Sequence, residues 1–431
     1  MTGVSRNSER GRPEVRRASW WGRLWQPFWA LPAVIATLSL LLGLGLPAVD
    51  EAIGEPWWVF QGGVDGARSV LGTIAGAMIS VTGLVFSITM VVLQLTSSQY
   101  SPRVLANFLE SRTSQVTLGV FTGSFIYALT VLREVGGADV KVPQLSVTVS
   151  YLYVLVAVAM FLAFIHHITV SVQVSAVMSQ IREQTIRNIG QLFPDDGRPR
   201  ETWSPSPETP RAELATESRS GYVAVLDSTL LVRRAAALDA VVELGIAPGD
   251  FVVAGQTVGR VWGRTTLTRD ETEGILDAVH LGPTRTLHAD VGLGIRQLLD
   301  IAERALSPGV NDPTTALQAM NELHVVLREL CTRPDLSGFL SDDDGTVWAV
   351  YRPQTYARGL AAAVEELVHY GRDSVRVVPH LRNLLADLVE AALPEHRAVA
   401  EQALASVDRF LAEEHRPVLA LDVRGKSPGN P

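Results

Sequence analysis

Four polar side chains stand seven residues apart in a run without charge: Thr73, Ser80, Ser87 and Gln94. At about 100° per residue they share one helix face with Ser69, Gly76 and Gly83. Hydroxyls and an amide in such a row can take over part of an ion's hydration when several copies surround an axis. Tight helix packing is the plainer reading of the row. Gly72, Gly76 and Ser80 are spaced four apart, as are Gly83 and Ser87, and small residues at that spacing let backbones approach closely. Gly119 and Gly123 form a similar pair that would dock against them. Pore lining and helix packing both stay open for Thr73, Gly76, Ser80, Gly83, Ser87 and Gln94. No Asp, Glu, Lys or Arg falls inside a spanning run, which weighs more against a proton-coupled transporter than against a pore.

A second concentration of polar residues lies later in the chain. Leu281-Gly282-Pro283-Thr284-Arg285-Thr286 is followed by His288 and Asp290, then by a helical stretch that ends in Ser307-Pro308-Gly309-Val310-Asn311-Asp312-Pro313-Thr314-Thr315. Structurally, Pro308-Gly309 stops one helix, Asp312 caps the next and Pro313 fills its first position. Functionally, Arg285, Asp290, Asn311 and Asp312 would form a cytoplasmic polar motif, with an anion or polar-ligand site at the N-terminus of the Pro313 helix. The charge of Asp312 at that cap opposes an anion. His166 and His167 are expected to be interfacial residues, with pH sensing as the sharper alternative. Asp342-Asp343-Asp344 reads as a solvated loop rather than a metal site.

Other chemistry is excluded by what is missing. Cys331 is the single cysteine, so neither an internal disulfide nor a cysteine-based zinc site can form. Lys141 and Lys426 are the only lysines, and neither stands where a P-loop, a Schiff base or a lipoyl arm needs one. There is no Gly-x-Ser-x-Gly elbow, no His-Glu-x-x-His and no Walker A motif. No catalytic residue, metal ligand or cofactor is expected. The net charge of -8 argues against nucleic acid as a partner.

The elements that must position these residues are mostly helices. Ser69–Leu95 holds neither charge nor proline and would extend roughly 40 Å, more than the ~30 Å of a bilayer core. Further spans are expected at about Trp29–Val49, Gln115–Leu132 and Leu145–Val170. Trp20, Trp21, Trp25 and Trp29 before the first span, with Trp57 and Trp58 after it, suit the headgroup level. Arginines crowd the N-terminal tail, whereas Asp50, Glu51, Glu55 and Asp65 dominate the first loop, which places both termini in the cytoplasm. The long apolar run argues against a cleavable leader. A short interfacial helix is expected after Ser101-Pro102. The absence of Gly and Pro between Pro143 and Gly190 predicts one long helix leaving the membrane as a stalk.

The expected organisation is a basic tail (1–19), a four-span domain with its stalk (20–193), a linker (194–217), a small β module (218–265), a helical cytoplasmic domain (266–416) and a tail (417–431). The fold class is therefore an α-helical membrane protein with a cytoplasmic α+β region. Strands are expected at Tyr222–Leu226, Ala240–Leu244, Phe251–Val253 and Thr257–Trp262, with one more at Val347–Tyr351. Helices are expected at Thr272–His280, Ala289–Leu306, Pro313–Cys331, Thr355–Tyr370, Val377–Ala392 and Glu395–Glu414. Pro248-Gly249-Asp250-Phe251-Val252-Val253-Ala254-Gly255-Gln256 resembles the paired turns of biotinyl and lipoyl domains, so the module is expected to be barrel-sandwich-like. The modified lysine of those domains is absent.

Ser97-Ser98-Gln99-Tyr100-Ser101-Pro102-Arg103 after span two, together with Arg304-Ala305-Leu306-Ser307-Pro308-Gly309-Val310-Asn311-Asp312-Pro313, resembles the bacterial membrane proteins of domain-of-unknown-function family 2254. The likeness covers about residues 25 to 415. It implies four spans and a cytoplasmic region, and it brings no activity or site residues. The leading expectation is a homo-oligomeric, channel-like conduit in the plasma membrane, without enzyme activity. The alternative is a membrane-anchored scaffold or sensor that binds a cytoplasmic protein or small ligand.

Overall fold

The computed structural model describes residues 28–53, 59–99, 112–135, 142–171, 173–193, 202–206, 209–286 and 290–414. Two compact units result, one ending at Val177 and the other beginning at Met178. The expected tails, the tryptophans at 20, 21, 25, 57 and 58, the interfacial helix after Pro102 and His288 lie outside the described residues.

The first unit holds four long helices: α1 (Ala30–Ile53), α2 (Val64–Gln99), α3 (Arg112–Glu134) and α4 (Gln144–Ser171). Each is long and apolar enough to cross a membrane. In α3 half of the apolar window is buried, against 17–22% in the other three, so α3 is the helix enclosed by its neighbours. Leu71, Ile74, Met78 and Val85 of α2 meet Phe121, Tyr127 and Val131 of α3 and Val147 and Phe164 of α4 in one core. Large apolar side chains elsewhere face outward, among them Leu41 and Leu155. Outward apolar surface suits lipid as the solvent, because burial against protein is not needed there.

Polar contacts pin the bundle where the apolar core cannot. Asp50 at the end of α1 accepts hydrogen bonds from Leu145 N (2.8 Å), Ser146 N (2.9 Å) and Ser146 Oγ (2.8 Å). It therefore satisfies the orphan amides that open α4. Arg68 donates to the Val135 carbonyl just beyond α3. Tyr127 donates to the Ser146 carbonyl, and its ring stacks on Tyr153 at 5.0 Å.

The expected single stalk helix is corrected. α4 stops at Ser171 and a new helix, α5 (Val174–Leu192), begins after a break. The junction Thr169-Val170-Ser171-Val172 is rich in β-branched residues, whose restricted χ1 lowers helix propensity without any Gly or Pro.

The second unit is mixed. Its strands are β1 (Arg211–Ala215), β2 (Gly221–Leu226), β3 (Val241–Leu244), β4 (Phe251–Val252), β5 (Thr257–Trp262), β6 (Val279–Gly282), β7 (Phe339–Ser341) and β8 (Val347–Val350). Its helices are α6 (Ser228–Ala237), α7 (Arg269–Leu276), α8 (Val291–Leu306), α9 (Pro313–Cys331), α10 (Tyr356–Gly371), α11 (Val377–Ala391) and α12 (Pro394–Glu414). One sheet runs β1-β5-β3-β8-β7 and the other β4-β2-β6. Leu214, Val242, Leu244 and Val261 of the first share a core with Val223 and Val252 of the second and with Leu231 and Ile275 of α6 and α7.

The four strands expected between 222 and 262 are present, but they do not close on one another as a module. β2 and β4 pair with β6, whereas β3 and β5 pair with β1 and β8. The helix α6, capped by Asp227 through Leu230 N, stands between β2 and β3. β1 comes from the segment drawn as linker and β7–β8 from the segment drawn as helical, so one sheet gathers strands from three expected regions. His280, expected at a helix end, lies in β6.

Candidate functional site

The α2 row is built on a helix whose opposite face is committed to the core. Leu71, Ile74, Ala75, Met78, Val85 and Val92 are buried. Thr73, Gly76, Ser80, Gly83, Ser87 and Gln94 are all exposed. A Cβ built on Gly72, Gly76 or Gly83 would meet nothing within 4 Å. The expected docking of Gly119 and Gly123 against this row is corrected: both face α1. A Cβ on Gly119 would come within 2.6 Å of Ile35, and one on Gly123 within 2.5 Å of Ser39 Oγ. Helix packing inside the protomer thus uses the α3 glycines and leaves the α2 row free. The row's hydroxyls donate to carbonyls one turn back: Thr73 to Ser69, Ser80 to Gly76 and Ser87 to Gly83. Each oxygen keeps its acceptor capacity on an exposed residue. Thr89, away from this row, is buried.

The later polar motif divides in two. Asp290 caps α8 and is 1% exposed. Its Oδ2 accepts from Arg285 Nε at 2.7 Å, and its Oδ1 accepts from Leu293 N at 2.9 Å and from Gln354 Nε2 at 2.6 Å. Gln354 also donates to the Pro248 carbonyl and accepts from Gly292 N. Gly249 (φ +96°) lies against this node, where a Cβ would come within 2.5 Å of Asp290 Oδ2. Buried, paired and hydrogen-bonded on both oxygens, Asp290 ties the Pro248-Gly249 turn to the start of α8.

Asn311 and Asp312 lie at the other end of α8. The sixteen-residue helix, about 24 Å long, stands between the two places. Asp312 N donates to the Ala305 carbonyl. The carboxylate accepts from Thr314 N, Thr315 N and Thr315 Oγ1, and these bonds, the hydroxyl foremost, hold its pKa below the ordinary value. Asn311 is exposed in the left-handed region (φ +47°). The four residues are thus two local devices rather than one pocket, and the cap at Asp312 is filled by its own helix.

Asp342 accepts from Asp344 N, Thr346 N and Trp348 Nε1 and so organises the turn between β7 and β8. Among the described residues no group of three or more His, Cys, Asp or Glu side chains is placed to hold a metal ion. A half-open concavity of about 250 Å³ lies at the ends of β3, β5 and β8 and involves Glu243, Arg260, Tyr351 and Arg352, none of them singled out in the sequence. Sequence reasoning also missed Asp50 and Gln354, whose partners are 95 and 64 residues away.

Four membrane-length apolar helices joined to a mixed helical and β region define a multi-span integral membrane protein. The family described as "Predicted membrane protein (DUF2254)" matches residues 25–387, and the chain belongs to that family. It is 33% identical over 390 residues to an uncharacterized protein of Mycobacterium bovis, covering 87% of this chain and 74% of the relative. An uncharacterized protein of Mycobacterium tuberculosis matches with the same identity and coverage. No solved structure matches the chain.

Proposed function

We propose that the chain assembles in the plasma membrane as a homo-oligomeric conduit, with α2 lining the axis and the second unit, in the cytoplasm, assembling or gating it. One observation carries this reading: the row Thr73, Gly76, Ser80, Gly83, Ser87 and Gln94 is turned away from the protomer's own core. Hydroxyl oxygens whose protons are already bound to the helix can still accept from water or face a cation, as a polar pathway needs. The loop charges support cytoplasmic termini, since arginines crowd the N-terminal tail. No catalytic chemistry and no cofactor enter the proposal.

The second reading is a membrane-anchored scaffold or sensor. It is favoured by the same back-bonds, because a helix that satisfies its own hydroxyl donors can face lipid without a pore. Ion flux into liposomes containing purified chain separates the two. The conduit predicts flux that falls at least tenfold in Ser80→Leu and Ser87→Leu. Absence of flux in the wild type, together with a co-purifying partner, supports the scaffold and overturns the conduit.

A further inference from the structure

Arg296 on α8 stands among three carboxylates. Its Nε reaches Asp300, its Nη2 reaches Glu303 and its Nη1 reaches Glu366 of α10, each at 2.5 Å. All four side chains are 17–29% exposed, so water screens the cluster only in part. One positive charge then faces three negative ones if every carboxyl is ionised. Glu303 and Glu366, from different helices, are thus held on the two terminal nitrogens of one guanidinium. A carboxylate crowded by like charges binds a proton more readily.

We propose that Glu303, gathered with Asp300 and Glu366 around the single Arg296, takes up and releases a proton, and that this tightens and loosens the contact between α8 and α10. Burial and the neighbouring Glu366 carboxyl push Glu303 up to about 7, against the opposing pull of Arg296. The remaining charges on the packed helices are engaged elsewhere or point outward. On α9, Glu322 pairs with Arg182, His324 and Arg328 with Asp387 of α11, and Glu329 with Arg333. His380 of α11 faces Asn321, and Arg382 pairs with Asp408 of α12. Arg304 on α8 and Glu365 and His369 on α10 are exposed. Glu303 is therefore the titrating element of this helix contact. It operates whether or not the membrane unit conducts.

The sign follows from linkage. A carboxyl whose folded pKa is raised binds its proton more tightly in the folded chain. The stabilisation is complete below the ordinary glutamate value and is lost as pH rises through about 7. Hydrogen exchange of the α8 and α10 amides in the detergent-solubilised full chain, corrected for intrinsic rates, tests this. Protection is expected to be roughly tenfold stronger near pH 6 than near pH 8, and nearly pH-independent in Glu303→Gln and Glu366→Gln. Infrared spectra of the wild type should show a protonated-carboxyl band that is lost over the same interval and is missing from Glu303→Gln. That measurement decides the matter even where a variant folds poorly. Wild-type protection independent of pH, or a wild-type infrared spectrum without the band, overturns the proposal.

Discussion

Asp312 holds three donors with one carboxylate at the start of α9. Asp312→Ala should cost about 1 kcal/mol of stability by thermal or urea unfolding of the full chain, the usual magnitude for a lost cap. Because the folded pKa is lowered, the contribution is present above the ordinary aspartate value and fades as pH falls through the depressed one. Gly249→Ala combines a positive φ with a close approach to Asp290, and about 1–3 kcal/mol of destabilisation is expected. Gly255→Ala shares the positive φ but meets nothing within 4 Å, so the difference between the two variants reads the contact alone. The cap and both turn glycines were legible because each is a local rule of one or two residues. The Arg285–Asp290 pair was named as part of a ligand motif, and its tie to Gln354 was not legible, because nothing local marks a partner 64 residues away.

α3 is the element around which the membrane unit is organised, and its glycines set how closely α1 can approach. Gly119→Leu and Gly123→Leu should disrupt the folded bundle, seen as loss of a monodisperse peak in detergent, because Ile35 and Ser39 occupy the space. Gly76→Leu should leave the protomer folded, since that position is open, and should impair assembly or flux. A folded, fully assembled and conducting Gly76→Leu variant would speak against α2 as the shared face. Spans were legible from length and apolarity alone. Which glycine pair meets which helix was not, because GxxxG spacing states that something comes close and not what. The break after Ser171 was missed for a related reason: reading Gly and Pro as the only helix breakers overlooks a β-branched junction.

At the scale of the whole molecule, the conduit proposal demands a complex of several 46.7 kDa chains, measured by mass photometry or light scattering in mild detergent. A chain that stays monomeric in lipid nanodiscs as well would remove the axis that the α2 row needs. The amino-acid sequence by itself determined the membrane character, the four spans, most strands and helices and the family, because these follow from local hydropathy, capping and short motifs. Tertiary structure alone decided that α2 turns its polar row outward, that strands from 211 to 350 share one sheet, that Arg285–Asp290 and Asn311–Asp312 sit at opposite ends of α8, and that Arg296 gathers carboxylates from two helices. Each of these depends on contacts between residues far apart in the chain. A hydrophobic period reveals which residues share a face, and only packing reveals what that face meets.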